Sequence, residues 1–246
     1  NVIPRIVGIN INADVLFSKT KSKVDIKKGS VLDAKLALKI DAITSSSQQM
    51  GLKVYASMNK NINDTSKQAR MLPAGSAVYA EADTESIVNF DGTAISRAES
   101  LNEDEASISL RSELNSTLDV SSTAEVITKV APMQAALGIG TSTNKAALTI
   151  GENASFETKQ DVEIVSETNA ESYVEAASKA SRNDYFVPAI GISMFNSDSI
   201  VNIEKTNMNL DNQKDSFTIK ANNNVLGDEL IADAGITSEY EWERIP

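Results

Sequence analysis

Residues 106–126, ASISLRSELNSTLDVSSTAEV, alternate in polarity along their whole length. Ala106, Ile108, Leu110, Leu114, Leu118, Val120, Ala124 and Val126 share one parity, with Ser112, Ser116 and Ser122 interspersed. The other parity is wholly polar and includes Arg111, Glu113, Asn115, Asp119 and Glu125. A period of two predicts a β-strand with one buried face. Strands usually run about 5–6 residues, however, and as one straight strand this stretch is about 70 Å long at ~3.3 Å per residue. The same alternation recurs over residues 146–176. It recurs again around Val24, where Val24, Ile26, Leu32, Ala34, Leu36, Leu38, Ile40 and Ala42 face one way and Lys23, Asp25, Lys27, Asp33, Lys35, Lys39 and Asp41 the other. Helical spacing fits none of these segments, so the chain reads as all-β.

Four prolines open similar segments: IPRIVGININ around Pro4, LPAGSAVYAE around Pro73, APMQAALGIG around Pro132 and VPAIGISMFN around Pro188. Each leads through a polar link to a strand-like triplet, Val24-Asp25-Ile26, Val88-Asn89-Phe90, Leu148-Thr149-Ile150 and Val201-Asn202-Ile203. Two triplets sit in near-identical settings, TESIVNF and SDSIVNI. The chain is therefore expected to be a single segment, 1–246, of about four degenerate units, approximately 1–69, 70–128, 129–184 and 185–246. Solenoid turns take about 20–29 residues, so each unit is expected to hold two or three turns. In a solenoid every corner has only to preserve which parity points inward, and alternation then outlasts any one strand. Ser112, Ser116 and Ser122 are expected to mark such corners. The predicted fold is a right-handed parallel β-helix, an elongated rod about 60 Å along its axis at ~20 residues per turn. An antiparallel meander, sandwich or barrel also alternates but needs tight turns such as Asn-Gly or Asp-Gly. Asp91-Gly92 is the one such dipeptide, and it continues the alternation instead of resetting it.

Composition narrows the chemistry. Apolar residues make up 41% and aromatics only 5%, so a core must be built from Ala, Val, Ile and Leu with small Ser and Thr. Net charge is −11, which argues against nucleic acid and against an anionic membrane surface as partners. The chain has no Cys and no His. That removes disulfides, thiolate catalysis, Cys-ligated zinc, the usual general base and every Ser-His-Asp arrangement. No signal peptide and no bilayer-spanning apolar run is present. The chain starts at Asn1, not Met, and reads as a piece of a larger protein. Absence of Cys suits export through an oxidising compartment.

Individual motifs carry little chemistry. The run Glu99, Glu103, Asp104 and Glu105 has oxygen donors for calcium but no EF-hand order, so it reads as a solvated loop. Asn63-Asp64-Thr65, Asn115-Ser116-Thr117 and Asn153-Ala154-Ser155 match the glycosylation triplet, which is common by chance. ANNNVLGDE, 221–229, is expected to be a turn. GIGTSTNK, 138–145, lacks the Gly-Lys-Ser/Thr ending of a phosphate loop. Tyr240, Trp242 and Ile245 are expected to cap the end of the stack or to mark where the piece was cut, with an aromatic sugar-binding platform the weaker alternative. No catalytic, cofactor-binding or metal-ligating residue is assigned.

The alternating strands, the Pro-led segments and above all PAIGISMFNSDSIVNIEKTNMNLDNQKDSFTIKANN, 188–223, carry a resemblance. The chain resembles the repetitive passenger region of large bacterial secreted adhesins and toxins of the filamentous-haemagglutinin type, especially leukotoxin-type filamentous adhesins. That resemblance implies a right-handed β-helix, export across the outer membrane and contact with host cells, and it brings no functional residue with it. The expected function is a non-enzymatic structural or adhesive segment, secreted or on the bacterial surface. Its expected partners are a host-cell protein or glycan and adjoining solenoid repeats, with no cofactor, no nucleic acid and no membrane insertion. The alternative is a polysaccharide-active β-helix enzyme of the lyase or tailspike kind, which needs acids clustered with Arg or Lys along one sheet face.

Overall fold

The computed structural model describes residues 5–6, 10–59, 70–72, 74–98, 106–126, 134–180, 187–205, 207–210 and 216–236. The alternating segments form strands in the order β1 (Arg5–Ile6), β2 (Asn10–Ile26), β3 (Val31–Ala34), β4 (Leu38–Asn59), β5 (Arg70–Leu72), β6 (Ala74–Phe90) and β7 (Thr93–Ser96). They continue with β8 (Ile108–Val126), β9 (Gln134–Ile150), β10 (Ser155–Thr158), β11 (Val162–Ala180), β12 (Ala189–Ile203), β13 (Asn207–Leu210) and β14 (Phe217–Ile236). Among the described residues there is no helix, and so none long and apolar enough to cross a membrane.

The strands stack as a parallel β-solenoid. β2, β6, β9 and β12 form one long wall, β4, β8, β11 and β14 a second, and β3, β7, β10 and β13 a narrow wall between them. All pairings within these walls are parallel. The antiparallel exception is a short contact of β5 with Ser57–Asn59 at the end of β4. An antiparallel meander is thereby excluded. The four triplets read from the sequence fall in one column, with Val24 beside Val88, Val88 beside Leu148 and Leu148 beside Val201.

The turn is much longer than expected. Asn10 lies beside Ala74 and Ala74 beside Gln134, so each Pro-led segment opens one turn, not two or three. Four turns about 4.8 Å apart make a stack only about 14 Å deep between its first and last strands, so the expected ~60 Å axis is not reached. The long dimension runs along the strands instead. β8 is one continuous strand of 19 residues. Ser112, Ser116 and Ser122 lie inward in mid-strand and are not corners.

Their small size serves a different purpose. The two long walls face each other, and inward hydroxyls reach the backbone of the opposite wall. Ser112 Oγ donates to the Ser86 carbonyl at 2.7 Å, and Ser86 Oγ to the Ala42 carbonyl at 2.7 Å. Ser166 Oγ reaches the Ala146 carbonyl at 3.0 Å, and Ser76 and Ser122 share a hydroxyl bond of 2.8 Å. Ser76 and Ser122 lie past Val78 and Val120, whereas Ser86, Ser112 and Ser166 form a hydroxyl belt that separates two apolar clusters. One, at the narrow-wall end, holds Phe90, Phe156, Ile108, Leu110, Leu148 and Ile164. The other holds Val78, Leu118, Val120 and Val174. Ser116 and Ser172 in the belt each keep a buried hydroxyl with no protein partner.

Corners differ in length but hold the ladder. Gly29, with φ of +84°, turns the first corner. Asp91 and Gly92 suffice for the second. The third is longer, and Asp91 fills the space beneath it by accepting from the backbone N–H of Asn153 at 2.9 Å and from its side-chain amide.

The segment 221–229, expected as a turn, lies within β14. Asn224 is held by an amide ladder, donating to Asn169 at 2.8 Å as Asn169 does to Asn115 at 3.0 Å, and Asn223 donates to the Ser197 carbonyl at 2.7 Å. Stacked amides of this kind suit Asn to a strand. Ala170 pairs with Val225 and Glu171 with Gly227, so Leu226 is an extra, outward residue of a β-bulge.

Candidate functional site

The densest arrangement of charge lies on the outer face of the second wall. The parallel register places Asp41, Arg111, Val165 and Lys220 in one column. Arg111 Nη2 donates to Glu167 at 3.0 Å and also pairs with Glu113 at 3.1 Å. Lys220 Nζ donates to Glu163 at 3.1 Å. With Lys39 these side chains line a shallow, open depression. The strand period brings them to one face, and the turn length sets acid beside base. Glu113 and Glu167, neighbours in register, share Arg111, and Glu163 takes Lys220. Pairs this exposed contribute little to stability.

Further along the same face Gln49 Nε2 donates to Asp119 at 3.0 Å, and the Tyr173 hydroxyl donates to Glu175 at 3.3 Å. Burial, with Glu175, Glu229 and Asp119 nearby, raises the Tyr173 phenol above its usual value. On the first wall the Tyr79 hydroxyl donates to Glu81 at 2.9 Å, and this bond, followed by burial and the Glu81 charge, raises Tyr79 as well. A folded value above the unfolded one supports the fold fully below pH 10.0 and loses that support as pH rises through the folded value. In an ultraviolet absorbance titration, Tyr79 and Tyr173 are expected to ionise later in the native chain than in denaturant. Glu81→Gln and Glu175→Gln bring the respective tyrosine back towards the denatured curve. Superimposed native and denatured curves contradict this assignment.

Among the described residues no group of three His, Cys, Asp or Glu is placed to hold a metal ion. Glu99, Glu103, Asp104 and Glu105 lie outside the described residues, as do Asn63, Tyr240, Trp242 and Ile245. Asn115 and Asn153 both have their side-chain amides engaged, Asn115 with Glu113 and Asn169, and Asn153 with Asp91. GIGTSTNK is part of β9 and forms no loop. Its glycines point inward: a Cβ on Gly138 meets the Glu175 carbonyl at 2.7 Å, and one on Gly140 meets Val174.

Sequence reading alone missed the inter-turn ion pairs. Their signal is a spacing: Lys19 with Asp83, Lys21 with Glu85 and Asp33 with Arg97 are each separated by 64 residues. Comparison with protein-family models, with curated proteins and with solved structures finds no match. The fold class stands on the strand register alone: a parallel β-solenoid of four stacked turns.

Proposed function

We propose that this chain is a non-enzymatic structural and adhesive β-solenoid segment of a secreted or surface-displayed bacterial adhesin or toxin that contacts host cells. One observation carries the reading. The exposed large apolar residues among the described ones all lie on the first or the last turn, among them Phe17, Val31 and Leu36 at one end and Met194, Val225 and Leu230 at the other. The outward apolar residues of the middle turns, such as Leu137 and Ile139, are instead half-buried between neighbouring turns, beside columns of charged residues. Such a distribution is that of a stack built to continue at both ends, with a solvated shaft between. Adjoining solenoid turns and a host-cell protein or glycan are the partners this reading names. Nucleic acid is not among them, given the net charge of −11. The resemblance of residues 188–223 to filamentous adhesins points the same way.

Labelled chain applied to cultured host cells is expected to bind saturably. Loss of binding after protease treatment of the cells indicates a protein receptor, and loss after glycosidase treatment a glycan. Absence of saturable binding contradicts the adhesive part of the reading. The interleaved Asp41, Glu163, Glu167, Lys39, Arg111 and Lys220 favour a second reading, a polysaccharide-active β-solenoid enzyme. Release of oligosaccharides from polymeric glycans, lost in Glu163→Gln and Glu167→Gln, distinguishes it.

A further inference from the structure

We infer that the two ends of the stack are complementary to each other, so that copies of this chain associate head to tail, the last turn of one on the first turn of the next. This rests on the proposed reading that the stack continues at both ends and names a second copy of this chain as the source of the adjoining turns; its test is separate from the host-cell binding assay. Three observations support it.

The first is an open ladder. Among the described residues, β2 and β3 end their walls on one side, β12, β13 and β14 end theirs on the other, and β4 meets β5 over Ser57–Asn59. Long edge strands with unpaired backbone groups are templates for a further parallel strand.

The second is charge. The first turn, residues 10–59, carries eight lysines against four aspartates, whereas the last, residues 189–236, carries seven carboxylates against three lysines. The chain as a whole is strongly acidic, so a basic first turn is a local departure. Opposite ends attract, and like ends set lysine against lysine.

The third is register. Continuing the column Val24, Val88, Leu148, Val201 by one step places Val24 of a second copy beside Val201. The same step puts Phe17, 69% exposed, beside Met194, 51% exposed, and Lys21 beside Asp198. Lys21 then lies between Glu85 of its own chain and Asp198 of the other. On the second wall, continuing Leu38, Ile108, Val162, Phe217 across the bulge at Leu226 puts Met50 beside Leu230 and Lys53 beside Asp233. Asp233 already approaches Lys179 from within its own stack, at 3.9 Å, and Lys53 pairs with Glu125. On the first wall this continues the alternation of the column Lys21, Glu85, Lys145, Asp198, and on the second it sets Lys53 against Asp233 across the joint. One register satisfies the apolar and the charged positions together. Because the contact is heterologous and nothing closes it, the product is an open filament, not a dimer.

The test uses the full chain in sedimentation velocity across a wide concentration range. The unmodified chain is expected to form species that grow with concentration. A first variant, Lys21→Glu with Lys53→Glu, reverses one end; a second, Asp198→Lys with Asp233→Lys, reverses the other. Each alone is expected to associate about tenfold more weakly or worse, since the altered end loses its net charge and two carboxylates, or two ammonium groups, then meet at each of the two register positions. Mixing the two variants restores assembly, because each supplies the end the other lacks. Restoration also shows that neither variant has merely unfolded. An unmodified chain that stays monomeric at every concentration overturns the proposal. So does assembly that persists in both variants, or a mixture that remains dissociated.

Discussion

Leu118→Asp is expected to destabilise the chain by several kcal/mol, and its neighbour Asp119→Leu hardly at all. Leu118 is fully buried in the cluster of Val78, Ala80, Val120 and Val174. Removing such a side chain costs about 2–5 kcal/mol by analogy with truncation to Ala. The new carboxylate adds a further cost, because it must stay unpaired in an apolar layer or take up a proton. Asp119 points outward and accepts one bond from Gln49, and surface changes usually fall within about 0.5 kcal/mol. Denaturant melts of the two variants check the contrast. Equal losses mean that the parity of β8 is not what the register describes.

The second large effect lies at the narrow-wall end. Phe90 and Phe156 are 1% and 0% exposed and stack with ring centroids 5.2 Å apart and planes at 22°. Phe90 ends a long strand of the second turn and Phe156 belongs to a short strand of the third, so the pair ties one turn to the next. Phe90→Ala is expected to cost about 3–5 kcal/mol, and Phe156→Ala a similar amount. The double variant is expected to lose less than the sum, by about 0.5–1.5 kcal/mol for the direct ring contact. Strict additivity in thermal or denaturant melts contradicts the contact. Stacked turns stabilise their neighbours, so hydrogen exchange is expected to quicken in both turns and not only in the one altered.

Much of this core was legible as parity. Every second residue of 108–124 is buried as the alternation requires, and the four triplets do share a column. Turn length was not legible, for a physical reason. A period of two says which face is inside, and a straight strand keeps that phase as well as a cornered coil does. Inward serines fitted both pictures. They are small enough for a corner, and equally small enough to let two walls approach until Ser112 and Ser86 reach carbonyls across the gap.

The wall nearest the prolines reads against intuition. In β9 the inward set begins Gln134, Ala136, Gly138 and Gly140, while Leu137 and Ile139 face outward. An inward glycine makes sense only once the opposite wall is known, since Val174 and the Glu175 carbonyl occupy the space its side chain would take. β14 hides its phase in another way. Phe217 shares a column with buried Val162, but after Leu226 it is Leu230 that shares one with buried Val174. The inward parity switches from odd to even at the bulge, and three consecutive asparagines there suggest a turn until the ladder to Asn169 is seen. The outer-face charges were invisible for want of the step between turns, which is 64 residues from Lys19 to Asp83 but 56 from Arg111 to Glu167 and 57 from Glu163 to Lys220.

The direction of the backbone hydrogen bonds has a mechanical consequence. They run from turn to turn, along the stacking axis, while the covalent strands run across it. β2 and β14 lie in opposite terminal turns, so tension applied through them is directed down that axis. Under such a load an end turn peels away bond by bond from one corner, at low force and over a long extension. The same sheets pulled along their strands must slide whole rows of bonds at once. The chain is therefore compliant along its stack and stiff across it, and under axial load it gives up its outermost turns before its middle ones.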